Sequence, residues 1–473
     1  MDDVLSGGLL RDRAYLVEGD PGTGKTTLAF HFLLEGIKNG ERCLYITLSE
    51  SREELLSNAA AHKFDLSGIE IFELPSDDQF HKDSQNTFFH SSEIELSNTN
   101  AAILEILERI KPQRAVFDSL SEMKLLSKDS ARFRKQILSI KRYVTSQGCT
   151  VMMLDDLTAT LGGKEVQSIV HGVIRLEQLS PEYGVDRRRL RIQKLRGMKY
   201  REGYHDYVID HGGMEVFPRL VASDHQTKKM GDVLPSGIVE LDELLCGGIH
   251  RGSSTLIMGP AGTGKSSLAL QFACSAALRG EKSELFIFDE SLESLLVRAN
   301  GIGMPVADLI EKGLIRVTQI NPAEITPGQL TSTLRHAVEV DGVTTLALDS
   351  LNGYLNSMPE ERFLIVQMHE LLSYLGQRGV ATFLVLTQHG FLGSAMDAAV
   401  DVSYLADSVL LLRYYESKGA VKQALSVVKR RTGPHERTIR DMQITGKGIQ
   451  IGEPLSYLRG VLTGIPQSEE LTA

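Results

Sequence analysis

Two eight-residue segments, 19–26 and 259–266, carry the pattern glycine, four variable residues, glycine, lysine, then threonine or serine. The glycines let successive backbone N–H groups face phosphate oxygens, which side chains there would obstruct. The lysines can neutralise β- and γ-phosphates, and the helix expected after each loop points its positive end at them. A complete octet that occurs twice is far more specific than a glycine-rich turn, so we predict two nucleoside triphosphate sites. The residues predicted to bind them are Gly19, Gly22, Thr23, Gly24, Lys25, Thr26, Gly259, Gly262, Thr263, Gly264, Lys265 and Ser266.

A magnesium site is predicted beside each loop. The hydroxyls of Thr26 and Ser266 can ligate Mg²⁺. Asp118 and Asp349 each end a hydrophobic run, at the strand end where an aspartate that holds Mg²⁺ through water is found in such sites. The alternative role for these aspartates is to cap the helix that follows.

Hydrolysis also needs a group that orients or deprotonates water. Glu50 and the pair Asp289 and Glu290 come directly after another apolar run, within expected reach of a γ-phosphate. Acidic residues at a helix start also occur on ordinary surfaces, because they complement the helix dipole. The pattern leaves open which of the two adjacent acids acts in the second copy.

Basic and apolar residues alternate late in each half of the chain. As a functional interpretation, Lys194 with Arg196, and Lys429 with Arg431, reach a neighbouring subunit's γ-phosphate and stabilise transition-state charge. The alternative is a solvated strand face.

The rest of the chain repeats around these residues. The sequence predicts strands over 13–18 and 254–258, and helices over 26–37, 52–61, 266–278 and 292–300. Apolar strands that alternate with amphipathic helices indicate a parallel sheet covered on both faces. We therefore predict a tandem duplication of one α/β module, with domains at 1–221 and 236–466, a linker at 222–235 and a short polar tail at 467–473. The lead-in at 236–242 has little counterpart before the first module, so we expect either an N-terminally shortened chain or a module that tolerates the loss.

Composition supports this organisation. A chain of 473 residues predicts two domains of about 230 residues, and 42% hydrophobic with 24% charged residues is typical of globular proteins. The net charge of −10 disfavours a broad nucleic-acid surface. Four scattered cysteines indicate neither a disulfide framework nor a zinc site. No membrane-length apolar run and no signal-peptide pattern occur, so a cytoplasmic location is expected.

These motifs together resemble the KaiC family, tandem ATPases of the circadian clock system in the RecA/DnaB-like branch. The resemblance rests on the two loops, on the acidic strand end at 286–291, on the two Asp-Ser-Leu segments and on Lys-x-Arg-Gly at 194–197. It implies two RecA-like P-loop modules with mostly parallel sheets, and ATP with Mg²⁺ as ligands. It also implies a homohexamer of two stacked rings with ATP between subunits, hydrolysis in both rings and a partner similar to KaiB. Self-phosphorylation on an adjacent Ser-Thr pair is implied for the second ring.

Three departures from the family pattern bear on activity. The first module has Ser49 before Glu50 where the family has two acids, so its hydrolysis is expected to be impaired or to depend on Glu50. In the second module the pair is Asp289 and Glu290, which is acidic but one methylene shorter at its first position. The Ser-Thr pair corresponds to Ser403 and Tyr404, so the serine is kept and the threonine is not. Ser403 is therefore a candidate for single-site phosphorylation in place of a two-step cycle; the alternative is a small loop residue near an active site. We therefore assign phosphoryl chemistry mainly to the second module.

Two other functions remain compatible with the sequence. A DNA-dependent motor or recombinase can use the same fold, although the chain lacks an evident basic and aromatic strand-binding segment. A ring scaffold that ATP holds together with little turnover is the other, and Ser49 favours it in the first module.

Overall fold

The computed structural model describes residues 1–74, 91–127, 129–157, 163–181, 184–222, 232–356, 364–388, 403–461 and 467–468. The chain forms two compact units, Met1–Arg219 and Leu220–Ala473, called unit 1 and unit 2 below. Within the described residues, every helix is too short or too polar to cross a membrane.

Unit 1 is built on one nine-stranded sheet. Its strands are β1 (Ala14–Gly19), β2 (Cys43–Thr47), β3 (Ile69–Glu73), β4 (Arg114–Asp118), β5 (Thr150–Asp156), β6 (Gly172–Leu179), β7 (Arg187–Leu195), β8 (His205–Asp210) and β9 (Gly213–Phe217). Its described helices are α1 (Lys25–Lys38), α2 (Arg52–Ala61), α3 (Ser91–Ile110), α4 (Leu120–Ser127), α5 (Ser130–Ser146) and α6 (Gly163–Ile169).

Unit 2 repeats this order with a short lead-in. The lead-in and the strand before the loop are β10 (Val233–Leu234), α7 (Val239–Leu244), β11 (Ile249–His250) and β12 (Ser254–Gly259). The remaining described helices are α8 (Lys265–Leu278), α9 (Leu292–Gly301), α10 (Val306–Glu311), α11 (Pro327–Glu339), α12 (Leu351–Asn356) and α13 (Leu364–Gln377). The remaining described strands are β13 (Ser283–Ile287), β14 (Ile315–Gln319), β15 (Thr345–Asp349), β16 (Ala381–Thr387), β17 (Ser408–Ser417), β18 (Ala420–Arg430), β19 (Ile439–Thr445), β20 (Gly448–Pro454), β21 (Leu458–Arg459) and β22 (Gln467–Ser468).

The two large sheets have the same topology. The order is β3-β2-β4-β5-β1-β6-β7-β8-β9 in unit 1 and β14-β13-β15-β16-β12-β17-β18-β19-β20 in unit 2. Strands are parallel from β3 to β6 and antiparallel from β6 to β9, and unit 2 follows the same rule. The predicted mostly parallel sheet is confirmed, and the antiparallel extension is added by hairpins that contain the basic strands.

The central strands are buried because both faces of each sheet are covered. All six residues of β1 are buried, and two consecutive residues within it, Leu16 and Val17, belong to different hydrophobic clusters. Two further clusters pack on unit 2, one containing Ile257 and the other Leu256. This burial on both faces is what a continuous apolar strand in a parallel sheet requires.

A left-handed glycine joins each loop to its helix. Gly24 has φ 85° and Gly264 has φ 94°, and α1 and α8 begin at the next residue. A Cβ at Gly24 would lie 2.3 Å from Ile209 Cδ1, and one at Gly264 would lie 2.4 Å from Ile444 Cδ1. The left-handed conformation therefore favours glycine at both positions, and a Cβ there would also displace the tip of an isoleucine side chain.

Candidate active sites

The loop of unit 1 is closed by hydrogen bonds to its own carbonyls. Thr23 Oγ1 donates to Asp20 O at 2.8 Å. Lys25 Nζ donates to Gly19 O at 2.9 Å and to Asp20 O at 3.0 Å. The buried ammonium therefore lies over the loop that would hold the phosphates, at the carboxyl edge of β1.

A carboxylate from the next strand also binds this lysine. Asp156 ends β5 in register with Gly19, and its Oδ1 lies 2.6 Å from Lys25 Nζ. Asp156 was not predicted from the sequence. The equivalent strand end in unit 2 carries the uncharged Thr387, in register with Gly259. The ion pair means that a triphosphate in unit 1 must compete with an internal anion.

The lysine of unit 2 lies in a less charged setting. Lys265 Nζ donates to Pro260 O at 2.7 Å. Burial lowers the pKa of Lys265 to about 8, with Asp349 opposing the shift. Because the desolvated ammonium gains little internal compensation, it is well placed to gain from a phosphate.

The predicted magnesium ligands come together in both units. Thr26 Oγ1 lies 3.2 Å from Asp118 Oδ2, and the buried Tyr45 hydroxyl donates to the same oxygen. Burial raises the pKa of Asp118, and the hydrogen bonds from Tyr45 and Thr26 lower it. A hydroxyl beside a carboxylate is a hard oxygen set that fits Mg²⁺.

In unit 2 the matching carboxylate is Asp349. Burial raises its pKa, and the hydrogen bond with Ser266 lowers it. The buried Leu285 occupies the strand position of Tyr45 in this unit, so Asp349 has no tyrosine partner there. Tyr45 was not found from sequence, because the contact depends on the pairing of β2 with β4.

The surroundings of the Glu50 carboxylate raise its pKa. Thr47 Oγ1 accepts from the Glu50 backbone N–H at 3.0 Å, which fixes the turn after β2. Among the described residues, the hydrogen bond to the Glu50 carboxylate comes from Asn58 Nδ2 at 3.4 Å. Burial raises the pKa of Glu50, and the nearby Asp118 charge raises it further.

Glu290 is held differently. Arg298 clamps both carboxylate oxygens, with Nε at 3.2 Å from Oε1 and Nη2 at 2.6 Å from Oε2. The same guanidinium donates through Nη1 to Ser267 Oγ at 3.1 Å. The helix position of Arg298 is occupied in unit 1 by the neutral Asn58, so an arginine pairs with Glu290 in unit 2 and an amide contacts Glu50 in unit 1.

Asp289 is the acid that this clamp leaves available in unit 2. Its Oδ2 accepts from the Ser350 hydroxyl, next to Asp349 at the end of β15. A Cβ at Gly353 would lie 3.0 Å from Asp289 Oδ1, so glycine leaves room for the carboxylate. Asp289 therefore faces the strand end that carries the metal ligand.

The four predicted intersubunit cations bind backbone carbonyls of their own unit. Lys194 Nζ contacts Gln167 O at 2.5 Å and Val170 O at 2.8 Å, and Arg196 donates to Ser168 O at 3.3 Å. These bonds hold the C-terminal end of α6. A contact with a neighbour's phosphate stays a prediction.

Unit 2 repeats this arrangement around the predicted phosphosite. Lys429 Nζ contacts Ser403 O and Ala406 O, each at 2.8 Å, and Arg431 donates to Tyr404 O at 2.9 Å. Ser403 is half-buried. The preceding residues 389–402 lie outside the described part of the chain.

Each unit combines a RecA-like sheet, a phosphate-binding loop, a strand-end aspartate and an acid beyond the next strand. This set of features defines a P-loop ATPase, and its presence in both units defines a tandem one. A family model described as "ATPase: KaiC" matches residues 1–221 and 234–456. The chain belongs to the KaiC family of ATPases.

Curated relatives match over nearly the whole chain. The circadian clock protein KaiC3 of Synechocystis sp. is 27% identical, over 98% of this chain and 92% of its own length. The circadian clock oscillator protein KaiC of Parasynechococcus marenigrum is 28% identical, over 98% and 91%. That of Prochlorococcus marinus is also 28% identical, over 98% and 93%.

Proposed function

We propose that both units hydrolyse ATP and that they take the water-activating carboxylate from different positions, Glu50 in unit 1 and Asp289 in unit 2. The observation that carries this proposal is the two-point clamp of Arg298 on Glu290. Both Glu290 oxygens are occupied by the Arg298 guanidinium and so are not free to accept a hydrogen bond from water, whereas the raised pKa of Glu50 brings that carboxylate closer to working pH.

Hydrolysis in unit 1 follows from the side chains around the loop. Lys25 and the loop N–H groups bind the β- and γ-phosphates when Asp156 releases the ammonium. Thr26 and Asp118 would hold Mg²⁺, which supplies positive charge to the phosphate oxygens when bound. Glu50 accepts a proton from water while the water oxygen bonds to the γ-phosphorus. The bond from that phosphorus to the bridging oxygen breaks, and ADP and phosphate leave.

Unit 2 uses the same loop chemistry with Asp289 as the base. Lys265 binds the phosphates, and Ser266 with Asp349 would hold Mg²⁺. We extend the proposal to a homohexamer, in which Lys194, Arg196, Lys429 and Arg431 contact a neighbour's nucleotide. Lys194 and Lys429 are half-buried near the ends of the antiparallel strands β7 and β18, and the exposed Arg196 and Arg431 directly follow those strands, which supports this reach.

Unit 2 is also the proposed site of serine autophosphorylation. Ser403 Oγ bonds to the γ-phosphorus of a neighbour's ATP, its proton passes to that neighbour's Asp289, and ADP leaves. The cations Lys429 and Arg431 hold the carbonyls of Ser403 and Tyr404, which fixes the acceptor backbone. The phosphorylated ring would serve as a signalling or timing switch read by a partner similar to KaiB.

ATP turnover by single-loop variants tests the two-site proposal. Lys25→Ala and Lys265→Ala should each remove one unit's turnover, with a loss of about 100-fold or more at that site. If neither variant loses turnover, the two-site proposal is wrong and a ring scaffold is favoured. Single-stranded DNA should leave wild-type turnover unchanged, and clear stimulation would instead favour a DNA-dependent motor.

Phosphosite mapping tests the kinase proposal. After incubation with labelled ATP, we expect label on Ser403 that Ser403→Ala removes. The matched control Tyr404→Phe should retain it. Label elsewhere, or no label while both units turn over ATP, would contradict autophosphorylation and leave the ATPase proposal intact.

A further inference from the structure

A row of ionisable side chains crosses the sheet of unit 1 beside the phosphate-binding loop. Glu18 directly precedes Gly19, is 1% exposed and lies in register with Asp155 on β5 and with Arg175 on β6. Residues in register on neighbouring parallel strands project from the same face of a sheet. A buried charge in such a row is costly unless it is paired or hydrogen-bonded, so its contacts are informative.

The same row in unit 2 is apolar. Met258 directly precedes Gly259 and lies in register with Leu386 and Leu411. Leu386 is 2% exposed and belongs to the hydrophobic cluster that contains Leu256. The fold therefore packs with apolar residues at these positions, and the charges of unit 1 are not a requirement of the sheet.

The Glu18 carboxylate is hydrogen-bonded to α6. Gln167 Nε2 donates to Glu18 Oε2 at 2.8 Å. Within the described ranges, Glu18 Oε1 accepts no hydrogen bond, and Arg175 Nη1 lies 3.9 Å from it. A hydrogen bond to a buried carboxylate is stronger than one between neutral groups, and its loss leaves that carboxylate without a donor. The bond therefore holds the Gln167 side chain firmly against β1.

The backbone of the same helix end holds the predicted intersubunit cations of unit 1. Gln167 O accepts from Lys194 Nζ at 2.5 Å, and Ser168 O accepts from Arg196 at 3.3 Å. Burial lowers the pKa of Lys194, and the charges of Arg196 and Lys141 lower it further. Because like charges repel, these carbonyls are what keep the two cations side by side.

Gln167 thus joins the strand before the loop to a cation. Its side chain is bonded to Glu18, and its carbonyl is bonded to Lys194. Both groups belong to one residue in the last turn of a seven-residue helix. A release of the side chain would therefore also release the carbonyl from its fixed position.

Unit 2 has a different residue at this point. Lys429 contacts Ser403 O and Ala406 O, with the three-residue spacing that Lys194 has in unit 1. Ser403 is therefore the counterpart of Gln167. With methionine also in place of the glutamate, unit 2 cannot make this bond, so the connection is a property of unit 1.

We propose that Gln167 and Glu18 are positioning residues for ATP hydrolysis at the neighbouring subunit, which rests on the proposed function of the intersubunit cations. Their hydrogen bond fixes the C-terminal end of α6 and thereby Lys194 and Arg196, which reach the neighbour's γ-phosphate. A cation stabilises the transition state only if it is already in place when charge develops. A loosened helix end should therefore lower turnover more than ATP affinity.

Steady-state phosphate release tests the donor. All proteins carry Asp289→Asn, which should silence unit 2 and leave its loop able to bind ATP. Gln167→Met keeps the side-chain length and removes the donor, so kcat of unit 1 should fall about five- to tenfold while KM changes by less than about twofold. The matched control Gln147→Met makes the same substitution at an exposed position and should leave kcat unchanged.

Variants of Glu18 test the acceptor. Glu18→Gln keeps an acceptor oxygen and should retain at least about half of kcat. Glu18→Met copies Met258, so it is expected to fold, and it should lower kcat as much as Gln167→Met does. The double variant should be no slower than either single one, because both substitutions remove the same bond.

Mixed rings show in which subunit the bond acts. Gln167→Met subunits have an intact loop and displaced cations, whereas Glu50→Gln subunits have an inactive loop and intact cations. In mixed rings an intact loop meets intact cations, so turnover per Gln167→Met subunit should rise about threefold or more. Lys194→Ala subunits mixed in the same way are the reference for a cation that acts across the interface.

The reference separates two ways in which the proposal can fail. If Lys194→Ala subunits are not rescued, the intersubunit role of the cations is wrong and the positioning role falls with it. If they are rescued and Gln167→Met subunits are not, the intersubunit role stands and the positioning role alone is wrong. Equal kcat of Gln167→Met and Gln147→Met, or a loss confined to ATP affinity, would also overturn the positioning role.

Discussion

Units 1 and 2 share one phosphate-binding frame but distribute charge around it differently. Lys25 is paired with Asp156, whereas Lys265 faces a carbonyl and its strand neighbour is the neutral Thr387. Beyond the next strand, Glu50 faces Asn58 and Glu290 is clamped by an arginine. The two units therefore share the phosphate-binding loop and differ in the charged side chains around it, which we propose set ATP affinity and the choice of base.

The comparison separates two kinds of residue. The phosphate-binding motif defines the loop residues, whereas the carboxylates beyond the next strand are the residues that we propose set the rate of ATP hydrolysis. Loop glycines and lysines meet the same geometric demand in both units, because any triphosphate presents the same oxygens. A carboxylate that activates water can be supplied from more than one position in the chain. Ser49 need not mean an inactive first unit, since Glu50 is unclamped and has a raised pKa.

One expected contrast concerns ATP affinity and the ion pair in unit 1. Asp156→Thr should raise ATP affinity of unit 1 by about tenfold, because Lys25 no longer needs to exchange a carboxylate for phosphate. Thr387→Asp should lower affinity in unit 2 by a similar factor. Titration of a fluorescent ATP analogue measures each site when the other loop lysine is alanine. Unchanged affinity in both variants would show that the ion pair does not compete with nucleotide.

The arginine clamp can be moved between units. Asn58→Arg should clamp Glu50 and lower turnover of unit 1 by about tenfold. Arg298→Asn should release Glu290 and make turnover of unit 2 less dependent on Asp289. Steady-state phosphate release, again with the other loop disabled, measures both. Equal turnover of Asn58→Arg and a matched Asn58→Gln control would contradict the role of the clamp.

A smaller effect is expected from pH. The pKa of Lys265 is lowered to about 8 by burial, so in the free protein the ammonium is present below that pH and lost above it. ATP binds the charged form, and its affinity for unit 2 should therefore fall severalfold between pH 8 and 9, with proton uptake on binding. Calorimetry in buffers of different ionisation enthalpy measures that proton. Binding without proton uptake at pH 8.5 would contradict the shift.

Much of this organisation could be predicted from the sequence, because the relevant patterns are local. The helix predicted over 52–61 is α2, Arg52–Ala61, and its start follows from the capping box of Ser51 and Glu54. The strand-end aspartates were found because each ends an apolar run. Such features need only the chain on either side of the residue.

Contacts set by strand register or by packing could not be predicted. Asp156 reaches Lys25 because β5 lies beside β1, and Tyr45 reaches Asp118 because β2 lies beside β4. Arg298 is eight residues from Glu290, and its pairing depends on how α9 packs on the strand end. The antiparallel extension was missed because its hairpins resemble isolated basic strands when read along the chain.

The most direct test of the account identifies the catalytic acid of unit 2. With Lys25→Ala removing unit 1 turnover, Asp289→Asn should lower phosphate release by about 100-fold, the usual scale for a general base. Glu290→Gln should lower it by less than about threefold, since its carboxylate is already neutralised. In the Lys265→Ala background, Glu50→Gln should cause the large loss. A larger loss from Glu290→Gln than from Asp289→Asn would contradict the proposal that the two units use different acids.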